Sequence, residues 1–188
     1  MRTHKNTQML TSDQVAEMFG VEEATVRSWA KKGALKARKI GRNWFFNKSY
    51  IFEKQSVEDA IGLVGGELGF SNSYDLLVDN ERIEIKSSLL KIGKNGEYWT
   101  FTNFHPSTMS DFYLLLGYDL ERSKLLYAIK ISSVELEKRM PVIMTKGKVH
   151  KLEPLNEFDG CSFNVYLKDE YFHSHVIFKD FTLEKENE

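Results

Sequence analysis

Two acidic residues and a lysine stand close together in a segment with the pattern of a β-hairpin. Residues 73–90 read SYDLLVDNERIEIKSSLL, with short apolar runs on both sides of Asp79 and Asn80. Asp and Asn tolerate the left-handed backbone that a two-residue hairpin turn requires. If these two residues form the turn, counting outward along the strands places Asp75 opposite Glu84.

Lys86 completes a charged group on one face of this hairpin. Because side chains alternate along a strand, Lys86 shares a face with Glu84 and Asp75. Two carboxylates directly opposite each other destabilise a hairpin, and a bound divalent cation reverses that effect. Carboxylate oxygens are the ligands that Mg²⁺ prefers. The segment therefore predicts a metal site. The alternative is a solvated hairpin face with a surface salt bridge.

The same string, YDLLVDNERIEIKSS, resembles the strand-turn-strand motif of the PD-(D/E)xK nuclease superfamily, which has the restriction-endonuclease-like fold. Tyr74 stands where the motif classically has proline. The resemblance implies that Asp75 and Glu84 bind Mg²⁺, for which Mn²⁺ can substitute. It also implies that Lys86 positions or activates the attacking water.

Members of that superfamily place a helix before the hairpin and often take another acid from it. Residues 55–68 have apolar residues at helical spacing. Glu58 and Glu67 are the candidate acids, and Glu67, as a helix-end residue near the hairpin, is the preferred additional metal ligand. For either residue, an ordinary surface carboxylate is the alternative.

The bulk composition indicates an ordinary globular protein. The chain has 188 residues, of which 41% are hydrophobic and 28% charged. No apolar run approaches the roughly 20 residues needed to span a bilayer, and the N-terminal residues lack the apolar core of a secretory signal. The single cysteine, Cys161, excludes an internal disulfide. These features predict a cytoplasmic protein without a membrane partner.

Charge is distributed unevenly along the chain. Residues 1–54 contain 11 Lys and Arg against 5 Asp and Glu, a net charge of +6. The remaining residues contain 15 against 22, a net charge of −7. This asymmetry predicts a basic DNA-binding domain at 1–54 followed by an acidic domain at 55–188.

The basic segment has the pattern of a winged helix-turn-helix. Residues 9–19 predict a helix that is capped by Thr11 or Ser12 and ended by Gly20. Residues 22–32 predict a second helix with Val26 and Trp29 inward. Two short helices joined by a tight turn form a helix-turn-helix. Residues 34–47 then predict two strands around a turn at residues 41–43, which form a small wing.

This segment, LTSDQVAEMFGVEEATVRSWAKKGALKARKIGRNWFF, is similar to the winged helix-turn-helix of excisionases and mercury-resistance-type regulators. In such a domain the second helix enters the major groove and the wing tip meets phosphate or the minor groove. The candidate DNA-binding residues are Thr25, Arg27, Ser28, Lys31, Lys32, Arg38 and Arg42. The alternative is that the basic residues only solvate a small domain. Trp29, Trp44 and Phe46 are predicted core residues.

The rest of the chain predicts further strands. Residues 87–96 are predicted to form a mobile basic loop, in which Lys91 and Lys94 contact phosphate or only aid solubility. Residues 97–104 predict a strand, and the apolar runs 112–116 and 125–131 predict central strands of a covered sheet. Ser132 or Ser133 is predicted to cap a short helix. Irregular strands are predicted from residue 141 onward, including 142–145, 148–152, 162–167 and 175–178. On a strand, His173 and His175 would point the same way and could suit a metal, although a solvated or hydrogen-bonded pair is the alternative.

Together these patterns predict an α+β or α/β protein, with a winged helix-turn-helix domain followed by a restriction-endonuclease-like mixed-sheet domain. The predicted function is that of a Mg²⁺-dependent, sequence-specific endonuclease acting on double-stranded DNA, similar to a type II restriction enzyme, with a homodimer as the expected assembly. Two alternatives remain open. One is a structure-specific or mobile-element nuclease, and the other is a non-catalytic DNA-binding regulator.

Overall fold

A computed structural model describes residues 8–69, 74–104, 110–122, 124–138, 161–167 and 170–180. The chain forms two compact units, residues 1–58 and 59–188. Their boundary falls four residues after the one expected from the charge distribution, within a helix that spans Lys48–Val64. Across the described residues, no helix combines the length and the apolar character needed to cross a membrane.

The first unit is built from short helices and a small sheet. Its elements are β1 (Met9–Thr11), α1 (Ser12–Phe19), α2 (Glu23–Lys32), β2 (Ala37–Ile40), β3 (Asn43–Asn47) and the first part of α3 (Lys48–Val64). The strands pair in the order β1-β3-β2. The predicted wing is therefore present, and Gly20 ends α1 in the left-handed conformation, with φ 62°.

The predicted cap of the first helix, at Thr11 or Ser12, is confirmed as Thr11, but the residues before it differ from the expectation. Residues 9 and 10 belong to the strand β1, which pairs with β3 and places Leu10 opposite Phe46. Thr11 is the N-cap of α1, and its backbone N–H donates to the Gln14 side chain at 3.0 Å. The helix therefore begins at Ser12. The predicted core is confirmed, since Val26 and Phe46 are fully buried and both tryptophans pack against their cluster.

The second unit contains a mixed sheet. Among the described residues its strands are β4 (Glu67–Leu68), β5 (Leu76–Val78), β6 (Glu81–Gly93), β7 (Gly96–Phe104), β8 (Phe112–Tyr118), β9 (Leu125–Ser132), β10 (Cys161–Tyr166) and β11 (Val176–Lys179). The main order is β10-β7-β6-β8-β9-β11, with β5 on β6 and β4 on β5. Strands β6 and β8 run parallel, and the other pairs are antiparallel.

The middle of this sheet is apolar on both faces, as predicted for β8 and β9. Six of the seven residues of β8 are buried. On one face, the Trp99 ring stacks on Tyr127 with centroids 5.3 Å apart and planes 2° apart. Gly117 lies beneath that ring, because a Cβ at this position would be 2.6 Å from a Trp99 ring carbon. Ser132 caps the helix at residues 133–138 by accepting from the Glu135 N–H at 3.2 Å.

Three further expectations are corrected in the second unit. Helix α3 ends at Val64, so Glu67 is not a helix-end residue but lies on β4, after two glycines with positive φ. Residues 87–96 do not form a loop, because β6 continues to Gly93 and pairs with β7. His173 and His175 lie on a 3-10 helix, Glu170–His175, rather than on a strand, whereas the strands predicted at 162–167 and 175–178 are present as β10 and β11. The predicted strands at 142–145 and 148–152 lie outside the described residues.

Candidate functional site

The hairpin expected from the sequence is present, with its turn at Asp79 and Asn80. Both residues have positive φ, 50° and 69°, which is the geometry of a type I′ turn. Val78 pairs with Glu81, and the ladder continues inward to Leu76 and Ile83. The register predicted from the turn is therefore correct over the whole of β5.

Asp75 leaves this ladder just before the point where it was expected to face Glu84. Its backbone N–H donates to the Ile83 carbonyl at 2.9 Å. Its Oδ2 accepts from the Ile85 N–H at 2.8 Å. The carboxylate thus lies against the peptide group that joins Glu84 to Ile85, instead of occupying a simple cross-strand position.

Glu84 and Lys86 are in direct contact on β6. The Lys86 Nζ lies 2.7 Å from Glu84 Oε1, and the two side chains are only 14% and 17% exposed. On β8 their register partners are Tyr113 and Leu115, which are fully buried. The pair therefore lies at the margin of an apolar core, where a charge interaction is stronger than in water and an unpaired charge is costly.

A second charged pair fixes the beginning of these strands. Arg82 donates to both carboxylate oxygens of Asp111, at 2.9 and 3.1 Å, and its backbone N–H also donates to that carboxylate at 2.8 Å. These hydrogen bonds hold the pKa of Asp111 below its ordinary value. The two residues are 29 positions apart, so sequence spacing alone did not reveal the pair.

Of the two further acids considered from the sequence, Glu67 lies apart from this group. Glu67 is exposed and pairs with Leu77, two strands away from Glu84, which corresponds to about 10 Å between strand axes. Glu58 is exposed on α3. Within the described ranges, no group of three or more His, Cys, Asp and Glu side chains is arranged to hold a metal ion.

The donor set that remains, Asp75 and Glu84, has the chemistry that Mg²⁺ uses. This ion commonly takes one or two protein carboxylates and completes its shell with water and substrate phosphate oxygens. The Glu84 carboxylate on β6 and the Asp75 carboxylate, which accepts from the next backbone N–H of that strand, therefore fit Mg²⁺ or Mn²⁺ by ligand type. A structural zinc site is disfavoured because such sites use Cys and His ligands.

A partly buried polar network, which joins Ser87 on β6 to residues distant in sequence, was not anticipated. The Tyr118 hydroxyl donates to Asp59 at 2.6 Å, and the Arg122 guanidinium lies 4.3 Å from the Tyr118 ring centroid. Arg122 also donates to the Ser87 hydroxyl at 3.1 Å. Burial raises the pKa of Asp59 and lowers that of Arg122. Because the arginine belongs to the turn after β8, sequence proximity gave no signal for this group.

In the first unit, the candidate DNA-binding residues lie on α2 and the wing. Arg27 donates to Glu23 through Nε at 3.0 Å and Nη2 at 2.6 Å, and Ser12 donates to the same carboxylate at 2.8 Å. The exposed basic candidates of this unit are Arg27, Lys31, Lys32, Arg38 and Arg42, while Thr25 and Ser28 are half-buried. The predicted set therefore forms a mostly accessible basic surface, and one member is already paired.

Most of the first unit matches a known protein family. Residues 9–53 match the family described as a helix-turn-helix domain. This segment is a helix-turn-helix DNA-binding domain. The helix-turn-helix domain covers about a quarter of the chain, and its limits enclose α1, α2 and the wing. No curated protein matches the chain.

Beyond the helix-turn-helix domain, two other DNA-contact candidates lie on the β6–β7 hairpin. Lys91 and Lys94 are both exposed. Lys91 donates to the Thr100 hydroxyl at 3.0 Å, across the strand pair. Lys94 lies in the turn between Gly93 and Gly96. The two lysines are therefore carried on a strand extension and its turn, not on a loop.

Proposed function

We propose that this protein is a Mg²⁺-dependent endonuclease that hydrolyses phosphodiester bonds in double-stranded DNA at sites selected by its helix-turn-helix domain. The observation that carries the proposal is the contact between Glu84 and Lys86 on the strand whose Ile85 N–H donates to the Asp75 carboxylate. An acid pair next to a lysine, on a chain that also has a DNA-binding domain, is suited to a polyanionic phosphodiester. The resemblance of residues 74–88 to the PD-(D/E)xK motif supports the same proposal.

Phosphodiester hydrolysis requires a nucleophile at neutral pH and stabilisation of negative charge on the phosphate. A bound divalent cation supplies both, because it lowers the pKa of water and acts as a Lewis acid. Asp75 and Glu84 are the residues that would hold it. The hydrogen bond from the Ile85 N–H fixes the Asp75 carboxylate against the strand that carries Glu84.

Lys86 is the residue proposed to stabilise the charge that develops in the transition state. Its ammonium is mostly buried and is held next to Glu84, so its position is fixed before substrate binds. A fixed cation in a partly dry environment stabilises negative charge more effectively than one in water. Lys86 would also orient the attacking water through its N–H groups.

The helix-turn-helix domain would position the substrate. Its exposed lysine and arginine side chains would contact the phosphate backbone, and the side chains of α2 would read base edges. Cleavage of both strands by one site per chain favours a homodimer on a palindromic sequence, and this assembly is part of the proposal.

The test is incubation of the purified protein with mixed bacteriophage DNA in Mg²⁺, in Mn²⁺ and in EDTA. We expect discrete, metal-dependent fragments that are lost in Glu84→Gln and Lys86→Ala. Matched controls come from the ion pair between Glu81 and Lys130, 2.9 Å apart, which involves the same strand β6. Glu81→Gln and Lys130→Ala should keep the cleavage pattern.

Other outcomes would select the alternatives. Cleavage confined to branched or modified DNA would indicate a structure-specific or mobile-element nuclease. Tight, salt-sensitive duplex binding without cleavage in any metal would refute the enzymatic proposal and leave a DNA-binding regulator. Equal cleavage by wild type and Glu84→Gln would show that the active site is not on β6.

A further inference from the structure

The β6–β7–β10 part of the sheet has one face that is polar and aromatic, while its other face is in the core. Leu90, Trp99 and Val165 form one buried row across the three strands. The side chains of the next row point to the opposite face, because side chains alternate along each strand. This row consists of Lys91, Tyr98 and Tyr166. We define the platform face by Lys91, Tyr98, Thr100, Thr102, Asn164 and Tyr166.

Two tyrosine rings form the centre of the platform face. Tyr98 and Tyr166 have ring centroids 5.3 Å apart with planes tilted by 35°. The Tyr98 ring also covers Gly93, where a Cβ would be 2.9 Å from a ring carbon. Glycine at this position lets the ring lie over the backbone of β6. Both rings are half-buried, so each keeps part of its surface accessible to solvent.

A polar row fixes a cation beside these rings. Lys91 donates to the Thr100 hydroxyl at 3.0 Å, and that hydroxyl donates to Asn164 Oδ1 at 2.9 Å. The ammonium is therefore held on the platform face, although the lysine itself is exposed. This arrangement places one positive charge on the same face as the two aromatic rings, with Tyr98 as the register partner of Lys91.

The charge of the platform face differs from that of its surroundings. Residues 55–188 carry a net charge of −7. Yet in the described parts of β7, β10 and the tip of β6, the side chains on this face include no Asp or Glu. The Glu97 side chain points to the other face of the sheet, because its register partner Ile92 is two residues from Leu90 and shares the face of Leu90. A face without carboxylates in an acidic unit is complementary to a polyanion.

We propose that the platform face binds single-stranded DNA. Aromatic rings accept the faces of unpaired bases, and a lysine beside them contacts the adjoining phosphate. Duplex DNA hides its base faces, so it could use only the lysine. This surface is separate from residues 9–53, and its function does not depend on cleavage.

The test uses the full chain in EDTA, so that no cleavage takes place. Fluorescence anisotropy measures binding of a labelled oligo-dT of about 15 nucleotides, the upper range for one such surface. We expect Tyr98→Ala and Tyr166→Ala each to weaken binding about fivefold or more. Tyr98→Phe keeps the ring and should bind as wild type. Thermal unfolding of each variant separates lost contact from lost fold.

A charge variant tests the same surface without altering the rings. Thr102 is exposed on the platform face, and Val134 is exposed elsewhere with 51% accessibility. Thr102→Glu and Val134→Glu change the net charge equally, and only the former should weaken oligo-dT binding. A 5-iodouracil oligonucleotide should cross-link to Tyr98 or Tyr166.

Several results would overturn the proposal. These are equal effects of the two Glu variants, cross-links found only in residues 9–53, and complete competition by duplex DNA. Dissociation of a protein dimer by Tyr98→Ala would instead assign the face to a second copy of the chain. Because none of these readouts involves cleavage, loss of the endonuclease proposal in Mg²⁺ assays would leave this one standing.

Discussion

The Lys86 Nζ lies 2.7 Å from Glu84 Oε1 on the same strand, with both side chains mostly buried. Residues i and i+2 of a strand share a face, but two long charged side chains usually extend to solvent there. Here they pair instead beside the buried Tyr113 and Leu115. The cost of desolvating each charge is offset by its attraction to the other charge. Removing one charge should therefore destabilise the protein more than removing both.

The first prediction concerns stability at this pair. Lys86→Ala should lower the free energy of unfolding by about 2 kcal/mol, because it leaves the Glu84 carboxylate partly buried without its cation. The double variant Glu84→Gln and Lys86→Met should lie within about 1 kcal/mol of wild type, because it removes both charges at similar volume. Urea unfolding of wild type, of the single variants Glu84→Gln and Lys86→Met, and of the double variant measures the coupling. Additive losses would show that the two side chains do not stabilise each other.

The second prediction concerns the paired arginine on α2. Glu23→Gln should strengthen duplex binding by roughly fivefold, or about 1 kcal/mol, because it releases Arg27 toward phosphate and removes a nearby negative charge. Anisotropy titrations at several salt concentrations measure both the affinity and the salt dependence.

The matched control for Glu23 is Glu17→Gln, an exposed acid on α1 that changes the net charge of the domain equally. A larger effect at position 23 than at position 17 is expected. If both substitutions strengthen binding equally, Arg27 does not contact DNA and only the overall charge matters.

The third prediction concerns pH. Burial raises the pKa of Asp59 above its ordinary value of 3.8, so the folded protein retains this proton more readily than the unfolded chain. The unfolding free energy should therefore fall as pH rises through the interval between 3.8 and the raised value. Asp59→Asn keeps an acceptor for the Tyr118 hydroxyl but cannot ionise. Its pH profile, measured by chemical denaturation against wild type, should lack this fall. Parallel pH profiles for wild type and Asp59→Asn would show that the ionisation of Asp59 does not cause the fall.

The fourth prediction compares two glycines in the second unit. Gly117→Ala should destabilise the protein by about 1–3 kcal/mol, because the new methyl group would overlap the Trp99 ring. Gly62→Ala should stabilise it by about 0.5–1 kcal/mol, because this helical position has no heavy atom within 4 Å of the new methyl group. Thermal unfolding with near-ultraviolet circular dichroism reports both stability and the environment of Trp99. An unchanged Trp99 signal in Gly117→Ala would show that the ring has room to move.

Local chemistry explains which parts of the fold were predictable. The Asp79-Asn80 turn and the pairing of Val78 with Glu81 follow from the conformational preferences of two residues, and the structure has both. The apolar runs that became β8 and β9 were equally clear, since a strand covered on both faces requires apolar side chains throughout. That Glu84 and Lys86 share a face follows from the two-residue period of a strand.

The remaining features depend on partners that are distant in sequence. The glycines and lysines of residues 87–96 favour turns locally and so predict a loop, whereas pairing with β7 stabilises β6 as a strand as far as Gly93. The bidentate contact of Arg82 with Asp111 requires β8 to lie parallel to β6, which no local pattern specifies. The departure of Asp75 from the ladder depends on a side-chain hydrogen bond to Ile85, which alternation alone does not predict.

The length of β6 also has a consequence for how the gene can change. Its pairing with β8 ends at Leu89, and from Leu90 to Gly93 the strand pairs with β7 toward the turn. Codons added to one arm of this hairpin would shift the register and turn outward-facing residues inward. Codons added in equal number to both arms would preserve every pair below them. Among descendants of this gene, length variation here should therefore occur as matched insertions, which lengthen both arms of the hairpin equally, or as matched deletions, which shorten both arms equally.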